Sequence, residues 1–394
     1  MKKKTIRDIE VGGRRVFVRV DFNVPVDSQG NITDDTRIRA AIPTIEYLAD
    51  RRARVILASH FGRPKGKPED AYRLNRIAER LSALLGRPVR KMDDCVGDEV
   101  RLAVTSMNDG DVVLLENVRF HPGEEKNDES FAKALASLAE VYVNDAFGAA
   151  HRAHASTAGV AKFLPAVAGF LMEKEVEALS RVLESPARPF VAVLGGAKVS
   201  DKIGVLENLT GKADALILGG GMANTFLRSR GYSMGKSLVE EDKLGVAASV
   251  IEKASRSGTE VMLPTDFIVA EKMEAGAATR TVVADAVPDG WMALDIGPKS
   301  AAAFAEAIKG ARTVFWNGPM GVFEIEQFSK GTVAVANAIA GSGAMSVVGG
   351  GDSVAAVEKA GVAEKMGHIS TGGGASLEFV EGRELPGVAS LMDA

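Results

Sequence analysis

The sequence predicts an α/β protein of two doubly wound parallel-sheet domains joined by a hinge helix. Short β-branched runs recur along all 394 residues. Each is followed by a polar or glycine-rich loop and a helical stretch, the alternation of parallel sheets covered on both faces. The runs are too many for one open sheet, and the length suits two or three domains.

The strands are expected at Val16–Val20, Arg54–Leu57, Val112–Leu115, Val141–Val143, Val191–Leu194, Ala215–Leu218, Val261–Leu263, Thr313–Trp316 and Ser346–Val348. Helix-like segments lie at Leu74–Leu85, Glu129–Leu138, Val205–Asn208, Leu244–Ser255, Ala301–Ala307 and Val354–Lys359. Phe170–Leu183 reads as an amphipathic connector, closed by Ser185-Pro-Ala-Arg-Pro189. The expected division is a first domain at 1–170, a joining helix at 171–186 and a second domain from 187.

Composition narrows the function. An apolar fraction of 46% and a charged fraction of 25% are those of a globular protein. The single cysteine, Cys95, excludes an intramolecular disulfide and suits a reducing compartment. Met1-Lys-Lys-Lys resembles the start of a secretion signal, but Thr5-Ile-Arg-Asp-Ile-Glu10 follows where an apolar stretch is required. The best membrane candidate, Ala158–Met172, is broken by Lys162 and Pro165. The expectation is a cytoplasmic, monomeric protein with no membrane and no nucleic-acid partner. Net charge is −4, divided as +3 over residues 1–170 and −7 over the remainder. A mildly basic front half suits an anionic ligand.

Four strand tips in the front half carry chemistry. In Val16-Phe-Val-Arg-Val-Asp-Phe-Asn-Val-Pro25 the alternation predicts Val18, Val20 and Phe22 on a core face, with Arg19, Asp21 and Asn23 opposite and Pro25 ending the strand. The second tip is Ser59-His60 with Arg63, the third Glu116-Asn-Val-Arg119-Phe-His121, and the fourth Asn144-Asp145 leading to His151-Arg152-Ala-His154. Arg37 is expected to open a helix. Ligands of open parallel sheets lie beyond the carboxyl ends of their strands. Guanidinium forks there grip phosphate and carboxylate, and Asp21 and Asn23 accept hydroxyls. The implied ligand is small, polyanionic and hydroxylated. A metal reading of His151-x-x-His154 is disfavoured by its spacing and the single cysteine.

In the back half, glycine clusters follow apolar strands at Gly195-Gly196, Gly219-Gly-Gly221, Gly349-Gly-Gly-Asp352-Ser353 and Gly372-Gly-Gly374. One such cluster also serves an ordinary turn, but four let backbone amides approach phosphates. Neither the P-loop nor the full dinucleotide spacing is present, which leaves a dehydrogenase the weaker reading. Lys198 and Lys202 are expected on one face of a helix start. Asp352 is a candidate Mg²⁺ ligand, with helix capping as the plainer use of the same residue. The loop Trp316-Asn-Gly-Pro-Met-Gly-Val-Phe-Glu324 offers Asn317 and Glu324 to a ribose, and taken alone reads as readily as a structural turn.

The motifs Arg19-Val-Asp-Phe-Asn-Val-Pro25, Ser59-His-Phe-Gly-Arg-Pro64, Glu116-Asn-Val-Arg-Phe120, Ala150-His-Arg-Ala-His154, Gly195-Gly-Ala-Lys-Val-Ser-Asp-Lys202, Trp316–Glu324 and Gly349-Gly-Gly-Asp-Ser353 occur in that order. With them the chain resembles the phosphoglycerate kinases from about Arg14 onward. The resemblance implies two Rossmann-like domains. The first would bind 3-phosphoglycerate or 1,3-bisphosphoglycerate through Asp21, Asn23, Arg37, His60, Arg63, Arg119 and Arg152. The second would bind ADP or ATP with Mg²⁺ through Lys198, Lys202, Ala293, Asn317, Glu324, Gly350, Gly351, Asp352 and Ser353. Residues 187–375 would form that second domain and 376–394 would return to the first. Ala149 and Ala293 stand where relatives often carry threonine and glycine. Arg37, Lys198, Lys202 and the amides of Gly372 and Gly373 would stabilise the transferring phosphoryl group, with no general base. A non-catalytic binding protein that keeps both pockets is the other class of function.

Overall fold

In the computed structural model, which describes residues 2–394, a six-stranded parallel sheet forms around β1 (Arg15–Arg19). Its other strands are β2 (Arg54–Ala58), β3 (Val89–Lys91), β4 (Val112–Leu114), β5 (Val141–Asn144) and β6 (Ala166–Ala168). They lie in the order β3-β4-β2-β1-β5-β6. Val16 sits opposite Val55 on one side and Val141 on the other. Helices α1 (Thr36–Asp50), α2 (Asn75–Leu85), α3 (Asp98–Thr105) and α4 (Glu129–Ala136) connect them.

The expected alternation along the first strand is corrected here. Every residue from Val16 to Val20 is buried, Arg19 included, because β1 is central and covered on both faces. The strand also ends at Arg19, well before Pro25. Two short strands, β3 and β6, carry too little apolar pattern to have been expected.

Helix α5 (Phe170–Glu184) carries the chain out of this unit, which comprises the residues up to Glu177 and Glu384–Ala394. The second unit is Ala178–Arg383. Its strands are β7 (Phe190–Leu194), β8 (Ala215–Leu218), β9 (Glu260–Met262), β10 (Asp266–Ala270), β11 (Thr279–Val283), β12 (Met292–Ile296), β13 (Thr313–Asn317), β14 (Met345–Val348) and β15 (His368–Ile369). A parallel sheet runs β15-β14-β13-β7-β8-β9, and β11-β10-β12 form a separate antiparallel sheet. Helices α6 (Ile203–Leu209), α7 (Gly220–Ser229), α8 (Leu244–Ser257), α9 (Pro298–Lys309), α10 (Lys330–Ser342), α11 (Gly351–Lys359) and α12 (Gly374–Val380) complete it. No described helix is long and apolar enough to cross a membrane.

The start of α5 is tied to the first sheet. A helix leaves its first amides without internal partners. Here Phe170 N donates to Thr44 Oγ1 (2.9 Å), and Leu171 N and Met172 N donate to Asp145 Oδ1 (2.9 and 3.1 Å). Gly169 makes room, since a Cβ there would lie 2.2 Å from that oxygen. Burial lifts the Asp145 carboxyl from 3.8 to about 6, against the pull of these hydrogen bonds. Folding therefore favours its protonated form. That contribution is complete below pH 3.8 and is lost as pH rises through about 6. Asp145→Asn keeps an acceptor oxygen and should flatten the pH dependence of the urea midpoint across this window. Asp145→Ala should lose about 1–3 kcal/mol throughout by stranding two amides. An unchanged pH slope in Asp145→Asn would refute this account.

Candidate active site

The connection after β1 runs to β2 and that after its other neighbour, β5, runs away to β6, so a crevice opens beyond the carboxyl ends of these two strands. The predicted front-half residues gather there. Arg37, in the first turn of α1, donates to Asp21 Oδ2 and to the Asn23 carbonyl, both at 3.1 Å. Asn23 Oδ1 accepts from Gly62 N at 2.9 Å, while Arg119 Nη1 donates to the Gly62 carbonyl at 2.8 Å. Gly62 has φ +61°, and a Cβ would stand 2.3 Å from the Tyr72 ring, so this junction requires glycine. Ser59 Oγ accepts from Phe22 N at 2.9 Å and ties the β1 and β2 tips together.

The electrostatics are one-sided. His60 is buried, and burial followed by the charges of Arg19, Arg119 and Arg37 pushes it well below the ordinary histidine range. His154 falls to about 4 for the same reasons, with Arg152 contributing. Positive charge in this half-site therefore comes from guanidiniums, not imidazoles. Arg119 is mostly buried, and its Nε has no hydrogen-bond partner, with the Glu125 carboxylate 3.4 Å away. Arg152 is exposed, with Nε 3.2 Å from His151 Nε2. Arg63 is exposed beside Gly62. Forked donors around one carboxylate suit a hydroxylated polyanion.

The second sheet repeats the arrangement, with β7 between β8 and β13. A cavity of about 440 Å³ opens here, lined by Gly196, Gly220, Gly221, Ala293, Glu324 and Asp352 among others. Lys202 is buried, and its ammonium donates to Asn317 Oδ1. Burial lowers it to about 8, opposed by Asp201 and Asp352. Asn317 in turn donates to the Gly349 carbonyl at 2.6 Å. Gly350 has φ +89°, and a Cβ there would meet Asn317 Nδ2 at 2.5 Å. Ser353 Oγ accepts from Gly318 N at 2.6 Å, so its side chain braces the loop after β13.

Lys198 departs from the expected helical position. Lys198 is exposed in the loop after β7, and helical turns begin only at Ser200, so the two lysines do not share a helix face. Gly372 N donates to Ser370 Oγ at 3.1 Å, and Gly373, with φ +49°, caps α12. Gly351 opens α11, and Asp352 stands exposed in its first turn, making no hydrogen bond or ion pair among the described residues. The cap position itself is Gly350, without a side-chain bond, so capping does not occupy the carboxylate.

Sequence reasoning missed the far wall of the cavity. Phe267 from β10, and Met292 and Asp295 from β12, belong to the antiparallel sheet, while Leu238 and Met273 stand exposed at the cavity. β11 is largely exposed and offers no core-facing periodicity, so this sheet left little trace in the pattern. Asp295 is lifted to about 7 by burial, against hydrogen bonds from Gly331 N and Ile296 N. Its neighbours in sequence, Leu294 and Ile296, were the available signal of a strand.

Comparison with known proteins agrees with this geometry. Residues 6–383 match the family described as Phosphoglycerate kinase. The phosphoglycerate kinase of Moorella thermoacetica is 63% identical over 393 residues, and that of Pelotomaculum thermopropionicum 61%, each covering 100% of both chains. The solved phosphoglycerate kinase of Coxiella burnetii superposes with a TM-score of 0.91 at 45% identity, covering 98% of each chain. That of Pyrococcus horikoshii gives 0.82 at 37%, also over 98% of each. The paired half-sites and these relatives place the chain in the phosphoglycerate kinase family, phosphotransferases with a carboxyl group as acceptor.

Proposed function

We propose that the chain catalyses Mg²⁺-dependent phosphoryl transfer from 1,3-bisphosphoglycerate to ADP, and the reverse, as the cytoplasmic glycolytic step, acting as a monomer. The observation that carries this reading is the pairing of two complementary half-sites at equivalent sheet positions. One is rich in guanidinium forks, and the other is a glycine-lined cavity beside a buried lysine. Asp21, Asn23, Arg37, His60, Arg63, Arg119 and Arg152 would hold the phosphoglycerate. Ala293 and Glu324 would face the nucleoside, and Lys198, Lys202 and Gly350 to Ser353 the phosphates, with Asn317 orienting Lys202.

Asp352 fits a magnesium ligand, being a hard carboxylate at the cavity with no protein partner. When bound with the nucleotide, the cation would neutralise phosphate charge. The attacking group is a phosphate oxygen in one direction and a carboxylate in the other. Both are ionised near neutral pH, so no base is needed. Catalysis then rests on positioning and charge neutralisation. Arg37, Lys198, Lys202 and the amides of Gly372 and Gly373 would supply the latter. The ligands bind to different units, so turnover requires domain closure that brings them into line and excludes water.

Three outcomes follow. Arg37→Ala should lower kcat on the order of 10²-fold while ADP affinity is kept, because a donor aimed at developing charge is lost. An unchanged kcat would refute that role. Asp352→Ala should cost turnover in coupled ATP synthesis by a similar factor, about 10²-fold, and shift the Mg²⁺ requirement upward. Wild-type protein that binds both ligands without turning over would instead mean a binding role. Finally, Lys202 carries its charge below about pH 8 and loses it above. Calorimetric ADP affinity should therefore weaken as pH rises through that value, and Lys202→Met should abolish the dependence.

A further inference from the structure

Arg19 has no exposed surface and takes no part in the half-site contacts above. Each of its three nitrogens nevertheless has a partner. Nε donates to Ser156 Oγ (2.7 Å), Nη1 to the Val20 carbonyl (2.5 Å), and Nη2 lies 3.1 Å from His60 Nδ1. Arginine has donors and no acceptor. Nδ1 of His60 must therefore present its lone pair, which leaves the ring's proton on Nε2.

The far side of the guanidinium is equally constrained. Ser156 Oγ accepts from Arg19, so its own proton goes to Glu124 Oε1 (2.6 Å), while Ser156 N donates to Glu124 Oε2 (2.9 Å). Glu124 is completely buried. Tyr142 OH, at 2.9 Å from the carbonyls of Ser156 and Thr157, fixes this segment against β5. Burial pushes the Glu124 carboxyl up, while Arg19 and the Ser156 hydrogen bonds pull it down. The buried guanidinium and this buried carboxyl are thus joined through one hydroxyl.

We propose that Arg19 is a positioning residue, held by Ser156 and Glu124 against Nδ1 of His60, which fixes His60 as a neutral Nε2–H donor for the phosphoglycerate half-site. The proposal rests on the reading of that half-site given above. His60 Nε2 has no protein partner among the described residues, so it is the donor left for a ligand oxygen.

The groups around His60 agree. Arg19 from β1, Arg37 from α1, Arg119 after β4, and His154 all oppose a proton on the ring. On the other side Asp21 Oδ1 lies 4.0 Å from Nδ1, and the second oxygen of that carboxylate accepts from Arg37. A histidine so placed gives direction to a hydrogen bond without adding a titrating charge. Recognition of the substrate through it stays constant across neutral pH.

The test is long-range ¹H–¹⁵N NMR of the full chain with labelled histidine, five residues in all, assigned with His60→Gln. His60 should hold the neutral Nε2–H tautomer from pH 8 to pH 5. An Nδ1–H tautomer, or titration near the ordinary histidine value, would overturn the proposal in the wild type alone. Ser156→Ala should free the guanidinium and raise the His60 midpoint by about one unit or more. It should also make KM for 3-phosphoglycerate pH-dependent while kcat at saturation changes less. A folded Ser156→Ala with an unmoved His60 spectrum would overturn the relay. Adding 3-phosphoglycerate to wild type should shift the Nε2–H signal. A locked tautomer that ignores the ligand would refute the half-site assignment, and the positioning role with it.

Discussion

The parallel ladder of β1 with β2 on one side and β5 on the other is the constraint from which the first half-site follows. Parallel neighbours require crossovers, and those that follow β1 and β5 run to opposite sides, toward β2 and β6. No loop can cover the point where they part. Polar side chains that would be costly inside the sheet are tolerated there, and Asp21, Asn23, Ser59 and His60 follow the β1 and β2 tips. The second sheet meets the same constraint at β7, between β8 and β13, and answers it with backbone amides and a lysine.

The two half-sites handle buried charge differently. Arg19 cannot shed its proton, so its burial is tolerable only with every neighbour satisfied, which Ser156, Val20 and Glu124 achieve. Breaking such a network strands a charge. Lys202 has another route. With a neutral amide as its direct partner, it meets desolvation by a fall to about 8, which leaves its charge available to a phosphate. Arginine therefore serves as scaffold in one unit, and lysine as the responsive cation in the other.

Much of this was legible in the sequence, for physical reasons. Runs such as Val191–Leu194 and Ala215–Leu218 are apolar on both faces, and only a central parallel strand asks for that. The tips were legible because polar residues abruptly replace such runs. Arg19 was misread because one arginine inside a valine-rich strand imitates the alternation of a half-buried strand. Its partners Ser156 and Glu124 are more than a hundred residues away, beyond local pattern. The antiparallel sheet was invisible for the opposite reason. β11 is exposed and largely polar, and it lies between β10 and β12 in the chain, so the register that builds the cavity wall is set by cross-strand pairing and not by local pattern.

The choice of cation in the first half-site follows from its histidines. A polyanion could be held by imidazolium, but His60 and His154 sit among guanidiniums that drive the proton away. Each arginine added for affinity makes a nearby histidine a poorer cation and a more reliable neutral donor. Charge and direction are thereby separated. Guanidiniums supply attraction that does not titrate, and the rings supply hydrogen bonds of defined sense. In the transfer proposed above the reacting groups are already ionised and need no proton carrier, so histidines without titrating protons would cost such a site nothing.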